Sequence, residues 1–124
     1  MAILGGCLAL LIRLQLAWPT QPWAFLNAIL PSGYPSGIMA PEFYLAVVTL
    51  HGTIMVFFVL TGGLSGTFSN LLIPLQVGAR DMASGFLNML SYWFFFLSSL
   101  LMLASLFVEG GPASSGWTVY PPLS

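Results

Sequence analysis

The chain has 124 residues, 58% of them hydrophobic and only 4% charged, with a net charge of −1 and a mean hydropathy of +0.96. A soluble globular domain carries charge on about a quarter of its residues, so most of this surface has lipid rather than water as its solvent. The five formal charges, Arg13, Glu42, Arg80, Asp81 and Glu109, leave no basic footprint for nucleic acid, and a single cysteine, Cys7, excludes an intrachain disulfide.

A helix needs roughly 20 apolar residues to cross a hydrocarbon core of about 30 Å, and three segments approach that length. Residues 1–18, "MAILGGCLALLIRLQLAW", are slightly short and hydrophobic from the start, which predicts a span that has lost its beginning. A signal peptide is the competing explanation. Its basic start is missing, however, Arg13 interrupts the apolar run, and no small-residue cleavage pattern follows. Residues 19–42, with five prolines, Trp23 and Tyr34, suit a loop lying on the outer membrane surface. Residues 43–74 are long enough to span with tilt or to project past the core.

Residues 75–83 form a short inner loop, residues 84–108 a third span containing "YWFFF", and residues 109–124 a second outer loop rich in Gly, Pro, Trp and Tyr. The expected fold is an all-α membrane protein with three transmembrane helices, part of a larger helical bundle. Arg80 lies in the inner loop, whereas Glu42 and Glu109 lie on the other side without a basic residue. By the positive-inside rule the Arg80 loop faces the cytoplasm, or the matrix of a mitochondrion.

Ionisable groups inside a span are costly, about 2.5–3.5 kcal/mol at its centre on insertion scales, and each is a functional candidate. Arg13 stands some five residues before the end of the first segment, where it either snorkels to the interface or holds a buried acceptor. His51, the only histidine, lies roughly 12 Å deep at 1.5 Å per residue, beyond the reach of snorkelling. In an ideal α-helix it shares a face with Met55, Phe58, Gly62, Ser65 and Ser69, beside a G-x-x-x-G spacing at Gly62 and Gly66. A closely packed helix or a flat cofactor fits that face, and His51 itself suits a hydrogen-bonded structural role, a metal or haem ligand, or a proton relay. At the inner end Asp81, Asn70 and Asn88 gather where two helices meet, and the face of the third segment continues through Tyr92, Phe95 and Ser99. Such a stripe can carry water and protons; alternatively, Asp81 is a carboxylate stabilised at a helix N-terminus.

The stretches "LLIRLQL", "TLHGTIMVFF", "SNLLIPLQVGARDMASGFLNMLSYW" and "GWTVYPPLS", in this order, resemble subunit I of the haem-copper respiratory oxidases, the cytochrome c oxidase family. The resemblance covers nearly the whole chain and is weakest from Trp18 to Pro41. It implies that His51 is an axial ligand of the low-spin haem, expected to be haem a, and that Arg13 holds that haem's formyl group. It implies equally that Asp81 stands at the mouth of the proton-uptake channel with Asn70 and Asn88 lining its entrance. Trp117 and Tyr120 match a family loop near the outer surface, with no chemistry assigned to them.

The family's second axial histidine, its copper ligands, its high-spin haem ligand and its cross-linked tyrosine are expected on later helices. With one histidine the chain corresponds to an N-terminal fragment of subunit I, truncated at both ends and inactive by itself. Its implied partners are the remaining helices of subunit I, other oxidase subunits, a cytochrome c or quinol donor and the lipid bilayer. The implied location is a bacterial plasma membrane or mitochondrial inner membrane. The alternative function is a small free-standing membrane packing or assembly protein without redox activity. A third possibility, a dimer sharing one haem between two copies of His51, would expose the histidine face at a symmetric interface.

Overall fold

The computed structural model of the chain describes residues 1–108 and 111–122, and Glu109 lies outside the described residues. Helix α1 (Ala2–Ala17) is rich in Leu and Ala, both strong helix formers. It stops because Pro19 disfavours the helical conformation in the residue before it; Trp18 leaves the helix with φ −134°, and Gln15 Nε2 donates to the Pro19 carbonyl at 3.2 Å. A short helix α2 (Ala24–Ile29) follows. Helix α3 (Pro41–Val77) runs for 37 residues. It opens with Pro41, whose missing N–H costs nothing in the first turn, and with Glu42 near the positive end of the dipole. It closes at Gly78, which takes the left-handed conformation at φ 72° that side chains other than glycine avoid. Helix α4 (Gly85–Ala104) is capped by Ser84, whose hydroxyl accepts from the Leu87 N–H at 3.3 Å.

Among the described residues the fold is entirely helical. By length and composition α3 and α4 can each cross a membrane, while α1 is an apolar helix of 16 residues.

Two stretches of α3, Ile54–Thr61 and Phe68–Leu72, are π-helical. The second immediately precedes Pro74. An unbroken α-helix would drive the proline ring into the carbonyl of Asn70, and a wider turn relieves that collision while the helix continues to Val77. In the first stretch the Thr61 hydroxyl donates to the Val56 carbonyl at 2.9 Å, five residues back, as the wider winding requires.

Each π turn also shifts the register of everything below it. His51 and Met55 stay with α1, whereas Phe58 packs on Phe95 of α4 with ring centroids 5.0 Å apart. The face drawn on an ideal helix is therefore divided between two neighbours. Of the two glycines in the G-x-x-x-G spacing, Gly62 meets the Phe95 ring, while the Gly66 position stands open.

Helices α1 and α3 are antiparallel and hold the core between them. Leu8, Leu26, Tyr34, Met39, Phe43, Val47, Leu50 and Ile54 form one buried cluster. The proline-rich connection contributes three of these residues and folds down onto the helices, because Leu26, Tyr34 and Met39 are as apolar as the faces they cover. Tyr34 meets Phe43 edge to face at 5.9 Å, and burial raises the pKa of its phenol above the ordinary tyrosine value. The connection is stitched by Trp23 N–H to Gly37 O at 2.7 Å and Ala40 N–H to Gly33 O at 2.9 Å.

Helix α1 comes close to α3 at Gly5, where an added Cβ would lie 2.7 Å from Met55 Sδ and 3.1 Å from Ile54 Cγ2. Gly5→Val is therefore expected to cost on the order of 1–3 kcal/mol through overpacking. The measurement is thermal unfolding in detergent, where a midpoint equal to wild type would show that α1 can shift without loss.

Candidate functional site

His51 sits ten residues into α3, roughly 15 Å below the helix start at 1.5 Å per residue. Its ring is half-buried, and Nδ1 lies 2.9 Å from the carbonyl oxygen of Gly5. A carbonyl can only accept, so in the neutral ring the proton resides on Nδ1 and the lone pair on Nε2. An imidazole held in this way is oriented: the backbone bond fixes the tautomer and sets the ring plane.

The acceptor is a main-chain atom reachable only because residue 5 lacks a side chain. Among the described residues no three His, Cys, Asp or Glu side chains converge. His51 could offer a metal one imidazole nitrogen, a donor that would suit a haem iron, whose porphyrin would bring the ring donors itself. Arg13 is on the same helix as Gly5, eight residues nearer its C-terminal end or about 12 Å along the axis, and it is exposed.

The inner half of α3 and the start of α4 enclose a second feature. Asn70 and Asn88, separated by 18 residues in sequence, line one cleft of about 400 Å³ together with Ser65, Ser69, Ser91 and Tyr92. Hydroxyls on α4 bond within their own helix: Ser91, on the cleft wall, donates to Asn88 O at 2.7 Å and the buried Ser99 to Phe96 O at 2.7 Å.

Asp81 stands apart from the residues lining this cleft. It is exposed in the turn before α4, and its Oδ1 accepts from the Met82 N–H at 2.7 Å. Ser84, not Asp81, occupies the helix cap. The residues missed by sequence reasoning are Gly5, which acts through its carbonyl, and the Ser84 cap. The second had a visible signal, a serine directly before an apolar run; the first had none, since every residue carries a carbonyl.

Comparison with known proteins adds a second line of evidence. The family model described as "Cytochrome C and Quinol oxidase polypeptide I" matches residues 1–124. The chain is 44% identical over 115 residues to the alternative cytochrome c oxidase subunit 1 of Bradyrhizobium diazoefficiens, covering 93% of this chain and 17% of the relative. It is 42% identical over 120 residues to the cytochrome c oxidase subunit 1 of Alkalihalophilus pseudofirmus, covering 97% and 16% respectively. It is 40% identical over 122 residues to the heme-copper oxidase subunit I+III of Aeropyrum pernix, covering 98% and 13%. The chain thus spans less than a fifth of the length of these relatives. No solved structure matches it.

The separation of the Ser84 cap from Asp81 is testable by stability alone. Ser84→Ala is expected to destabilise α4 by about 1 kcal/mol. Asp81→Asn is expected to leave stability unchanged, and an unfolding midpoint lowered as much by Asp81→Asn as by Ser84→Ala would return Asp81 to a structural role at the helix end.

Proposed function

Because the chain belongs to the cytochrome c and quinol oxidase polypeptide I family, we propose that it forms part of the catalytic subunit of a proton-pumping terminal oxidase, with His51 as one axial ligand of the low-spin haem. The observation that carries this proposal is the 2.9 Å contact between His51 Nδ1 and the Gly5 carbonyl, which leaves Nε2 as the nitrogen available to iron. A bound low-spin haem supplies one-electron transfer. The chain's own task is to hold the ligand: α1 delivers the carbonyl, Gly5 admits the close approach, and the apolar cluster around Leu50 and Ile54 keeps water from the region.

On this proposal α1, α3 and α4 all cross the membrane. Arg80 faces the inner side, and the two proline-rich segments face the outer side. Arg13 lies in the outer part of α1, where its guanidinium donors suit the haem's formyl oxygen. Asn70 and Asn88 act on the opposite side. Their shared cleft, with four hydroxyl groups on its walls, suits a file of water leading inward from Asp81, whose carboxylate collects protons at the surface. The remaining helices of subunit I supply the second axial histidine and the copper and high-spin haem ligands. The other oxidase subunits and a cytochrome c or quinol donor complete the assembly, in a bacterial plasma membrane or mitochondrial inner membrane.

His51→Leu in the complete subunit removes an axial bond that the flanking Leu50 and Gly52 cannot replace, and the low-spin haem spectrum is expected to disappear. A purified variant that keeps this spectrum unaltered would refute the assignment. Arg13→Met, which keeps much of the stem and removes the donors, is expected to shift the same absorption band; an unshifted band would make Arg13 a snorkelling interface residue.

Asp81→Asn is expected to abolish proton pumping in liposomes while assembly and haem content stay normal. Wild-type proton stoichiometry in that variant would remove Asp81 from the proton route.

A further inference from the structure

The loop after α4 reaches back to α3 beside the histidine. The Thr49 side chain is buried, and its hydroxyl donates to the Leu45 carbonyl at 2.8 Å while accepting the Gly116 N–H at 2.9 Å across 67 residues. Both bonding capacities of the oxygen that matter here are in use, one within the helix and one to the loop. Next along the chain from Gly116, Trp117 lies against Gly52, where an added Cβ would come within 3.0 Å of its Cδ1 and 3.3 Å of its Cβ and Cγ. The ring also meets Phe57 edge to face at 6.2 Å. Thr49 and Gly52 are three residues apart and share a face of α3, and Gly52 is the peptide neighbour of His51.

We propose that Thr49 is a positioning residue for the His51 site: its hydroxyl clamps the Gly116 backbone so that the Trp117 indole covers the bare backbone at Gly52 and shields that flank of the histidine from water. This deepens the assignment of His51 as a haem ligand and rests on it. The chemistry of the clamp is specific to a hydroxyl. A valine at position 49 has nearly the same shape, yet it would leave the part-buried Gly116 N–H without its acceptor, and a donor shielded from water without a partner favours opening. Opening admits water next to His51, and water favours the more highly charged oxidised state of a ligated haem, so the midpoint potential falls. Gly52 contributes space: any side chain there lifts the indole even with the Thr49 bond intact.

The test uses the complete subunit in its assembled oxidase, with variants Thr49→Val, Thr49→Ser and Gly52→Ala. In Thr49→Val, hydrogen exchange in the peptide containing Gly116 is expected to be about tenfold faster. The low-spin haem band is expected to persist with a lowered midpoint potential, and Thr49→Ser is expected to restore both values. Gly52→Ala is expected to lower the potential as well. Unchanged exchange in Thr49→Val overturns the clamp, and faster exchange with an unmoved potential overturns the positioning role. If Thr49→Val does not assemble, Gly52→Ala decides: a wild-type potential there overturns the proposal. Failure of the ligand assignment is separate, because it is read from persistence of the low-spin band in His51→Leu, whatever happens in the Thr49 variants.

Discussion

The bond from His51 Nδ1 to the Gly5 carbonyl is the constraint on which the rest of the structure depends. An imidazole some 15 Å along an apolar helix from its start has little water to borrow, so it needs a partner delivered by another element. The partner is a backbone atom, which brings the whole of α1 against α3 at Gly5, closer than any side chain at that position would permit. The apolar cluster from Leu8 to Ile54 then holds two helices at a distance set by a polar contact. In a low-dielectric interior such a bond is both stronger and costlier to lose than at a surface, so packing and the orientation of the imidazole stand or fall together.

Below His51 the winding of α3 changes, and with it the neighbour each residue meets. The stretches Ile54–Thr61 and Phe68–Leu72 turn the inner half of the helix toward α4, where Gly62 accommodates Phe95 and the walls become polar. One long helix thereby presents an N-terminal half that orients the His51 imidazole and a C-terminal half that frames a hydrophilic cleft. On the proposed function these halves serve electron transfer and proton uptake respectively. The cost of the second π stretch is tied to Pro74, a residue that a straight α-helix could not have absorbed without a kink.

The two segments that read as surface loops are structural walls. The connection 19–40 buries Tyr34, Leu26 and Met39 against α1 and α3, and the loop carrying Trp117 is hydrogen-bonded to Thr49. Both lie at the outer end, nearest to His51. Helix α4, by contrast, leaves Tyr92, Trp93, Phe94 and Leu101 exposed, as suits a helix whose other faces meet lipid or further helices.

Composition and spacing alone determined that the chain is helical, that lipid surrounds it, and that His51 and the Asn70, Asp81 and Asn88 group are the polar features of interest. These are consequences of hydrophobic run length and of the rarity of polar residues within such runs, both of which are local properties. Sequence order also carried the family resemblance, which the comparisons showed. Which nitrogen of His51 bears the proton was not legible, because the deciding atom is a carbonyl 46 residues away in sequence and all residues carry one. Nor was the division of the His51 face, since ideal periodicity holds only until a π turn resets it. The docking of Gly116 on Thr49 and the separation of Asp81 from the cleft of Asn70 and Asn88 were decided by the tertiary structure. Each depends on how far apart two helices sit, and that distance is set by contacts between segments that the linear pattern keeps apart.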